Sequence, residues 1–136
     1  MIPQRLTFVT IGARHLRTLH DFYCGWGWKP LPDSSDEITF FDLGGVRLGL
    51  WDIELLRDEA APGEPIPTQR WNGLTLAINV ATREQVDTVF EDALEAGATM
   101  INRPQNWDWG GRSGYVADPE GTRWEIAWAP MFPVDE

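Results

Sequence analysis

The succession of extended and helical segments occurs twice along this chain, and the repeat constrains the fold more than any other feature. Each half opens with an apolar, β-rich run, at residues 5–11 and 74–80, and continues with a helical pattern that ends at Gly27 or Gly97. Three further extended segments follow in each half. The two glycines lie 97 − 27 = 70 residues apart, about half of the 136-residue chain. The repeat predicts two copies of one β-α-β-β-β unit.

The first half carries a helical pattern that begins near His15 and places its apolar residues on one face. Gly44 and Gly45 favour a tight turn between two strands. Residues 52–72 contain prolines and charges without a sustained period, which indicates a linker with one irregular turn. The extended segments predicted in this half are residues 28–31, 37–43 and 46–51.

The second half carries the clearest local signals. Thr82 and Gln85 have the spacing of a capping box at the start of an amphipathic helix. Residues 118–121, Asp-Pro-Glu-Gly, are typical of a type I turn between two strands. The strands predicted after the helix are residues 98–102, 112–117 and 122–129. We therefore expect a single domain over residues 1–136, with a first module at residues 4–52, a linker at 53–72 and a second module at 73–130.

The charge balance argues against two classes of partner. The chain has 11 Lys and Arg against 21 Asp and Glu, a net charge of −10, which repels nucleic acid and anionic membranes. No apolar run reaches the roughly 18 residues of a membrane span. The negative field favours cationic ligands, although the same charge also serves solubility. The single cysteine, Cys24, is expected to be a half-buried inert thiol, which suits a reducing, cytoplasmic compartment.

Residues 15–30, 84–98 and 109–128 carry a family resemblance, and the pattern DPxGxxWE at residues 118–125 is its most specific part. The three segments resemble the vicinal oxygen chelate superfamily, which includes the glyoxalase, bleomycin-resistance and extradiol-dioxygenase proteins. The resemblance implies an α+β fold in which two tandem βαβββ modules form an open, cupped, mixed sheet. It also implies a homodimer that binds a small-molecule ligand within the cupped sheets.

Members of that superfamily usually take four metal ligands from the first and last strand of each module. The matching positions in this chain are Phe8, Gly49, Thr75 and Glu125. Only Glu125 has a side chain suited to a divalent ion, and one carboxylate cannot hold a catalytic metal against water. We therefore expect no metal and no other cofactor. His15 and His20 fall on the first helical pattern and are expected to be surface or capping residues.

Strand alternation predicts which side chains share a face with Glu125. Trp107 and Trp109, on a loop beside that face, are expected either to stack on a flat ligand or to seal a dimer interface. Glu125 itself either contacts the ligand or forms a buried ion pair with Arg47 and Arg123. The candidate ligand-binding residues are Phe8, Arg47, Trp51, Asn79, Trp107, Trp109, Arg123 and Glu125. The side chains expected to point the other way, into the core, are Leu74, Leu76, Ile78, Trp124, Ile126 and Trp128.

Two functions of different classes remain open. The first is a metal-free protein that binds or sequesters an aromatic or cationic small molecule, as bleomycin-resistance members of the superfamily do. The second is an enzyme, either a lyase or isomerase that uses Glu125 as its catalytic base, or a dioxygenase-type enzyme that uses Glu125 as a metal ligand. We favour the first because three of the four expected ligand positions lack a suitable donor.

Overall fold

The computed structural model describes residues 1–68 and 71–135, and within those ranges it contains seven strands and three helices. The chain divides into two units, Met1–Thr68 and Gln69–Glu136. Their boundary falls within residues 53–72, and the expectation of a single domain stays a prediction. Across these described ranges, every helix is too short or too polar to cross a membrane.

The first unit is a three-stranded mixed sheet with two helices. The spatial order of its strands is β1-β3-β2, with β1 parallel to β3 and β2 antiparallel to it. Helix α1 covers one face of the sheet, where Leu19 and Tyr23 of the helix and Leu48 and Leu50 of β3 form the core. The elements are β1 (Phe8–Ala13), α1 (Leu16–Gly25), β2 (Ile38–Asp42), β3 (Arg47–Asp52) and α2 (Ile53–Ala60).

The segment at residues 28–31 is not a strand in the structure, so this unit has one strand fewer than the predicted module. Pro30 has no N–H to donate to a ladder, which limits pairing here. The segment still contacts the sheet, because the Leu31 N–H donates to the Phe40 carbonyl at 2.8 Å. Trp28 also stacks on Tyr23, with ring centroids 5.4 Å apart.

Helix α2 occupies part of the stretch that was predicted to be a linker with one irregular turn, and that description was wrong for residues 53–60. The helix begins directly after β3 because Asp52 caps it: its Oδ1 accepts hydrogen bonds from the N–H groups of Glu54 and Leu55, at 2.9 and 3.1 Å. Ile53 then packs onto Gly12 of β1. A Cβ atom at Gly12 would lie only 2.7 Å from Cγ1 of Ile53, so the close approach depends on that glycine.

The second unit is a complete βαβββ module, as the sequence predicts. Its four strands lie in the order β4-β7-β6-β5, with β4 parallel to β7 and the other pairs antiparallel. This unit and the first confirm the α+β fold class, with open mixed sheets. The elements are β4 (Thr75–Asn79), α3 (Arg83–Glu95), β5 (Thr99–Asn106), β6 (Arg112–Ala117) and β7 (Arg123–Trp128).

Helix α3 begins at the predicted capping box. The Thr82 hydroxyl accepts from the Gln85 N–H at 3.2 Å, and the Gln85 side chain accepts from the Thr82 N–H at 2.9 Å. Its apolar face packs on β6 and β7, where Trp124 and Ile126 are buried as predicted. Trp128 is half-buried. Leu74 was expected in this core, but it precedes β4 and is 53% exposed, because it lies outside the paired strand.

The turn between β6 and β7 explains most of the DPxGxxWE pattern. Asp118 is only 3% exposed, and its Oδ1 accepts from the N–H groups of Glu120 and Thr122, at 2.8 and 3.0 Å. Gly121 adopts a φ of +91°, a conformation that L side chains rarely take. The Asp and Gly of the pattern therefore build the turn, and Trp124 fills the core.

We expect Gly121→Ala to lower the free energy of unfolding by about 1–2 kcal/mol, because a Cβ is strained at this positive φ. Gly49→Ala is the matched control: a Cβ there meets its nearest neighbour, Thr10 Oγ1, at an ordinary 3.5 Å, and the substitution should leave stability nearly unchanged. The measurement is urea unfolding at constant m-value. Equal losses for both variants would contradict this account of the turn.

Candidate functional site

The candidate site is centred on the face of the second sheet that lies opposite α3, which we call the polar face. Pairing of β7 with β4 puts Arg123 beside Thr75, Glu125 beside Ala77 and Ala127 beside Asn79. The predicted sharing of one face by Asn79, Arg123 and Glu125 is therefore confirmed. Pairing with β6 adds residues that the sequence analysis did not place there. The polar face comprises Thr75, Ala77, Asn79, Thr99, Asn102, Gln105, Ser113, Tyr115, Ala117, Arg123, Glu125 and Ala127.

Glu125 has polar neighbours on the polar face. Tyr115 lies directly opposite it on β6. Ser113, two residues before Tyr115 on the same face, is fully buried. The indole Nε1–H of Trp107 donates to Ser113 Oγ at 2.9 Å. The structure thus places two residues that the sequence analysis missed beside predicted site residues, Ser113 beside Trp107 and Tyr115 beside Glu125.

The environment of Tyr115 keeps its phenol protonated. Burial raises the pKa of Tyr115 above its usual value, and the charge of the neighbouring Glu125 carboxylate raises the pKa further. Ser113 acts on this pKa in the opposite direction. Tyr115 is therefore neutral at neutral pH.

Arg123 and Asn79 share the polar face with Glu125 and are half-buried. The guanidinium of Arg123 donates from Nη1 to the Gly121 carbonyl at 2.7 Å. Among the described residues of the second unit, no ion pair joins Arg123 to Glu125. The prediction of an ion pair between Glu125 and Arg123 was therefore wrong, because the Arg123 guanidinium donates instead to the backbone carbonyl of the turn.

Trp107 and Trp109 lie on the loop between β5 and β6, as predicted. The loop is closed by two backbone hydrogen bonds, from the Trp107 N–H to the Gly111 carbonyl and from the Gly110 N–H to the Trp107 carbonyl, at 2.9 and 3.0 Å. Trp109 packs its ring against Gly111, so closely that a Cβ there would overlap the indole, yet Trp109 remains 47% exposed. Trp107 faces inward, and Trp109 is the more accessible of the two.

Both ends of this loop are tied to α3. Arg112 forms a bidentate pair with Asp87, with Nε–Oδ2 and Nη2–Oδ1 distances of 2.9 and 2.7 Å. The Asn106 side-chain carbonyl accepts from Arg112 and from Arg83, at 3.3 and 3.2 Å. The helix therefore holds the loop in position, and with it Trp107.

The remaining predicted site residues, Phe8, Arg47 and Trp51, lie together on the face of the first sheet opposite α1. Phe8 is 42% exposed and meets Phe40 edge to face, with ring centroids 5.8 Å apart. Arg47 is exposed, and Trp51 is half-buried. Strand alternation in this unit is thus also as predicted.

The side chains present do not fit a catalytic metal ion. Phe8 offers only an aromatic ring, Gly49 offers no side chain, and Thr75 offers a neutral hydroxyl. The remaining donor, Glu125, is a single carboxylate. Among residues 1–68 and 71–135, no group of three His, Cys, Asp or Glu side chains could hold a metal ion. A transition metal needs more nitrogen, sulfur or anionic oxygen donors than these positions supply.

The two histidines and the cysteine lie on or beside α1, on the other side of the first sheet from Phe8, Arg47 and Trp51. His15 occupies the N-cap position but makes no capping side-chain hydrogen bond. His20 Nδ1 lies 2.9 Å from Asp21 Oδ1. Burial raises the pKa of the Cys24 thiol, and the Asp21 charge raises it further, which agrees with an inert thiol.

Tyr115 and Ser113 were missed because the sequence analysis identified their strand without pairing it to β7. The signal was present in the Asp-Pro-Glu-Gly turn. A hairpin across that turn sets the register of the two strands, and alternation then puts Tyr115 on the same face as Glu125.

Comparison with known proteins shows a match to the glyoxalase-like domain family over residues 8–127. Among curated proteins, uncharacterized proteins of Mycobacterium bovis and Mycobacterium tuberculosis are each 34% identical over 64 residues, or 47% of this chain. The matched segment spans 41% of the M. bovis protein and 37% of the M. tuberculosis protein.

Solved structures include more extensive matches. A glyoxalase-related enzyme from Fulvimarina pelagi is 31% identical, with a TM-score of 0.86 over 98% of this chain and 94% of that one. A glyoxalase/bleomycin resistance protein/dioxygenase family enzyme from Burkholderia phytofirmans is 25% identical, with a TM-score of 0.76 over 90% of this chain and 96% of that one.

The contacts of Arg112 and Asn106 with α3, which we call the loop anchor, generate a prediction about acid stability. The hydrogen bond from Arg112, with its charge, holds the pKa of Asp87 below its usual value. The stabilisation is therefore present above about pH 4, the range of an unfolded aspartate, and is lost as pH falls through the lowered pKa of the folded state. Because Asp87 is half exposed, we expect Asp87→Asn to cost no more than about 0.5–1 kcal/mol at neutral pH.

The measurement for this prediction is the free energy of unfolding from pH 7 down into the acid range, by urea titration. The difference in the free energy of unfolding between wild type and Asp87→Asn should shrink as the pH falls. Glu91→Gln, an exposed mid-helix change on α3, is the matched control and should show no such difference. A difference for Asp87→Asn that is independent of pH would refute the assigned role of the ion pair.

Proposed function

The chain belongs to the glyoxalase-like domain family, and from this premise we propose that it binds a cationic or aromatic small molecule without a metal ion, at a site that includes the polar face. The family establishes the fold and leaves the chemistry open, since one fold serves many activities. The proposal therefore depends on the side chains of this chain.

The observation that carries the proposal is the Glu125 carboxylate on the polar face. Its neighbour there, Tyr115, is neutral, and Arg123 donates to the Gly121 carbonyl. Among residues 71–135, no ion pair neutralises this half-buried carboxylate, and a cationic ligand would offset the cost of burying it.

Two further features support a cation with an aromatic or flat part. The net charge of −10 would steer cations toward the protein and repel anions. Trp107 donates to Ser113 on the polar face, and the accessible ring of Trp109 lies on the same loop. Aromatic side chains near an anionic group suit both stacking and cation–π contacts.

The proposed mechanism has no metal because the four positions matched to the superfamily's ligands supply too few donors. These positions are Phe8, Gly49, Thr75 and Glu125. Homodimer formation and a cytoplasmic location also stay predictions, the first of which sedimentation velocity would test.

A metal-free lyase or isomerase is the second candidate. The observation that favours it is the pairing of Tyr115 with Glu125 in register on the polar face, because a phenol beside a carboxylate has the components of an acid–base pair. In that case Glu125 would take a proton from a bound substrate.

The binding proposal is tested with three compounds that share one ring and differ in charge: benzamidinium, benzamide and benzoate. We expect calorimetry to show that benzamidinium binds most tightly and benzoate most weakly, with the preference shrinking as salt is added. Glu125→Gln should weaken benzamidinium binding about tenfold. Glu91→Gln removes the same charge from the exposed side of α3 and should retain the preference.

If the affinities do not depend on the charge of the compound, or if Glu125→Gln leaves them unchanged, Glu125 is not part of the binding site. Elemental analysis of the same protein tests the metal-free part, which a stoichiometric metal would overturn. NMR of small hydroxyketones incubated with the protein in D2O tests the enzyme candidate. Deuterium incorporation that requires Glu125 would favour the enzyme over the binding protein.

A further inference from the structure

We propose that Asn102 and Gln105 of β5, which we call the amide pair, form a second anchor of the site, at the far side of the polar face from Glu125. The ligand is then an elongated molecule with a cationic group at one end. At its other end it carries a group with a hydrogen-bond donor beside an acceptor, such as a carboxamide. The inference rests on the proposed function, because it names the ligand class of that same site.

An irregularity of β5 puts the two amides on the same face. Residues three apart on a regular strand point to opposite faces. Asn102 and Gln105 are nevertheless the register partners of Tyr115 and Ser113, which are only two residues apart on β6. One extra residue therefore lies on β5 between the two amides, and such an insertion is a β-bulge. The bulge turns Gln105 onto the polar face beside Asn102.

The sequence of the bulge suits this geometry. Pro104, which lies between the two amides, has no N–H to donate to a ladder, so the irregular pairing costs it no hydrogen bond. β5 is also an edge strand of its sheet, where proline and bulges are tolerated. Bulges are frequent beside functional sites because they redirect a side chain. Here the redirected side chain is an amide.

A direct hydrogen bond joins the two amides. The Gln105 Nε2–H donates to Asn102 Oδ1 at 2.8 Å. This contact uses one N–H of Gln105 and one lone pair of Asn102, and a ligand can still bond to the Asn102 N–H groups and to the Gln105 carbonyl oxygen. Both residues are exposed, so a ligand can reach them. The amide pair therefore presents a donor beside an acceptor, which a carboxamide, a lactam or a urea group complements.

Strand pairing sets the separation between the amide pair and the carboxylate. Tyr115 is the register partner of Glu125 on one side and of Asn102 on the other. Neighbouring strands lie about 4.8 Å apart, so the backbones at Glu125 and Asn102 are separated by roughly 10 Å across the polar face. Tyr115 is half-buried and lies between them, where its ring suits contact with a flat spacer. A ligand that engages both anchors must therefore span two strand spacings.

The two anchors select different chemistry. Glu125 carries a charge and favours a cation. The amide pair is neutral, and it favours a ligand group whose donor and acceptor match its own. An apolar group placed over the amide pair would displace water without replacing the hydrogen bonds, which costs affinity. The amide pair thus determines which groups the ligand can carry at the end far from its cation.

Three compounds test the second anchor by calorimetry: biphenyl-4-carboxamidinium, its 4′-carboxamide derivative, and 4-carbamoylbenzamidinium. Two rings in line give the derivative the length to span two strand spacings, whereas the one-ring compound is too short. We expect the 4′-carboxamide to improve binding about three- to tenfold over the plain two-ring amidinium. The carboxamide of the one-ring compound should give no improvement over benzamidinium.

Substitutions of the amide pair should abolish that improvement. Asn102→Ala and Gln105→Ala each remove one member, and because the two act together the double variant should lose no more than either single variant. Asn102→Asp keeps the size of the side chain but replaces its donor by an acceptor, and it should have the same effect. Gln4→Ala removes an exposed amide near the start of the chain and should retain the improvement. Each improvement compares two compounds on one variant, so a general loss of folded protein does not alter it.

An improvement that persists in Asn102→Ala or Gln105→Ala, or that is equal for the one-ring and two-ring compounds, would overturn the second anchor. The two proposals fail separately. Charge-dependent binding that requires Glu125 but gains nothing from the carboxamide would reject the second anchor and keep the proposed function. A carboxamide improvement that requires Asn102, with affinities that Glu125→Gln leaves unchanged, would reject the role of Glu125 and keep the amide pair.

Discussion

The register of β7 between its two neighbours is the constraint on which the rest of the second unit depends. Parallel pairing with β4 and antiparallel pairing with β6 put Trp124 and Ile126 into the core against α3. The same alternation puts Glu125 on the opposite face, directly across from Tyr115. A shift of one residue would bury the carboxylate and expose the tryptophan, so core packing and the chemistry of the site are determined together.

That register is set by a small number of backbone features. Asp118 binds the N–H groups of its own turn, and Gly121 provides the positive φ that the turn needs. At the other end of β6, the contacts of Asn106 and Arg112 with α3 hold the loop that carries Trp107. The Glu125 carboxylate is therefore positioned by backbone and loop contacts that lie outside the polar face.

The two units contribute unequally to the chemistry, although their sequences follow one plan. In the first unit the position that matches Glu125 is Gly49, and Phe8 packs against Phe40 instead of offering a donor. Helix α2 packs onto Gly12 at one end of the corresponding face. Of the two matching strand positions, only that of the second unit thus carries a carboxylate.

The sequence alone was sufficient for the α+β class, the βαβββ order of the second unit, the capping box of α3 and the face on which Glu125 lies. These follow from periodicity and turn chemistry, which act over a few neighbouring residues. It did not predict α2, which depends on a cap by Asp52 at the end of a strand and on close packing of Ile53 against Gly12. Nor did it predict that Ser113 and Tyr115 share a face with Glu125, or that Trp107 donates to Ser113. Trp107 and Glu125 are 18 residues apart in the chain, and only the pairing of β6 with β7 brings Tyr115 beside Glu125.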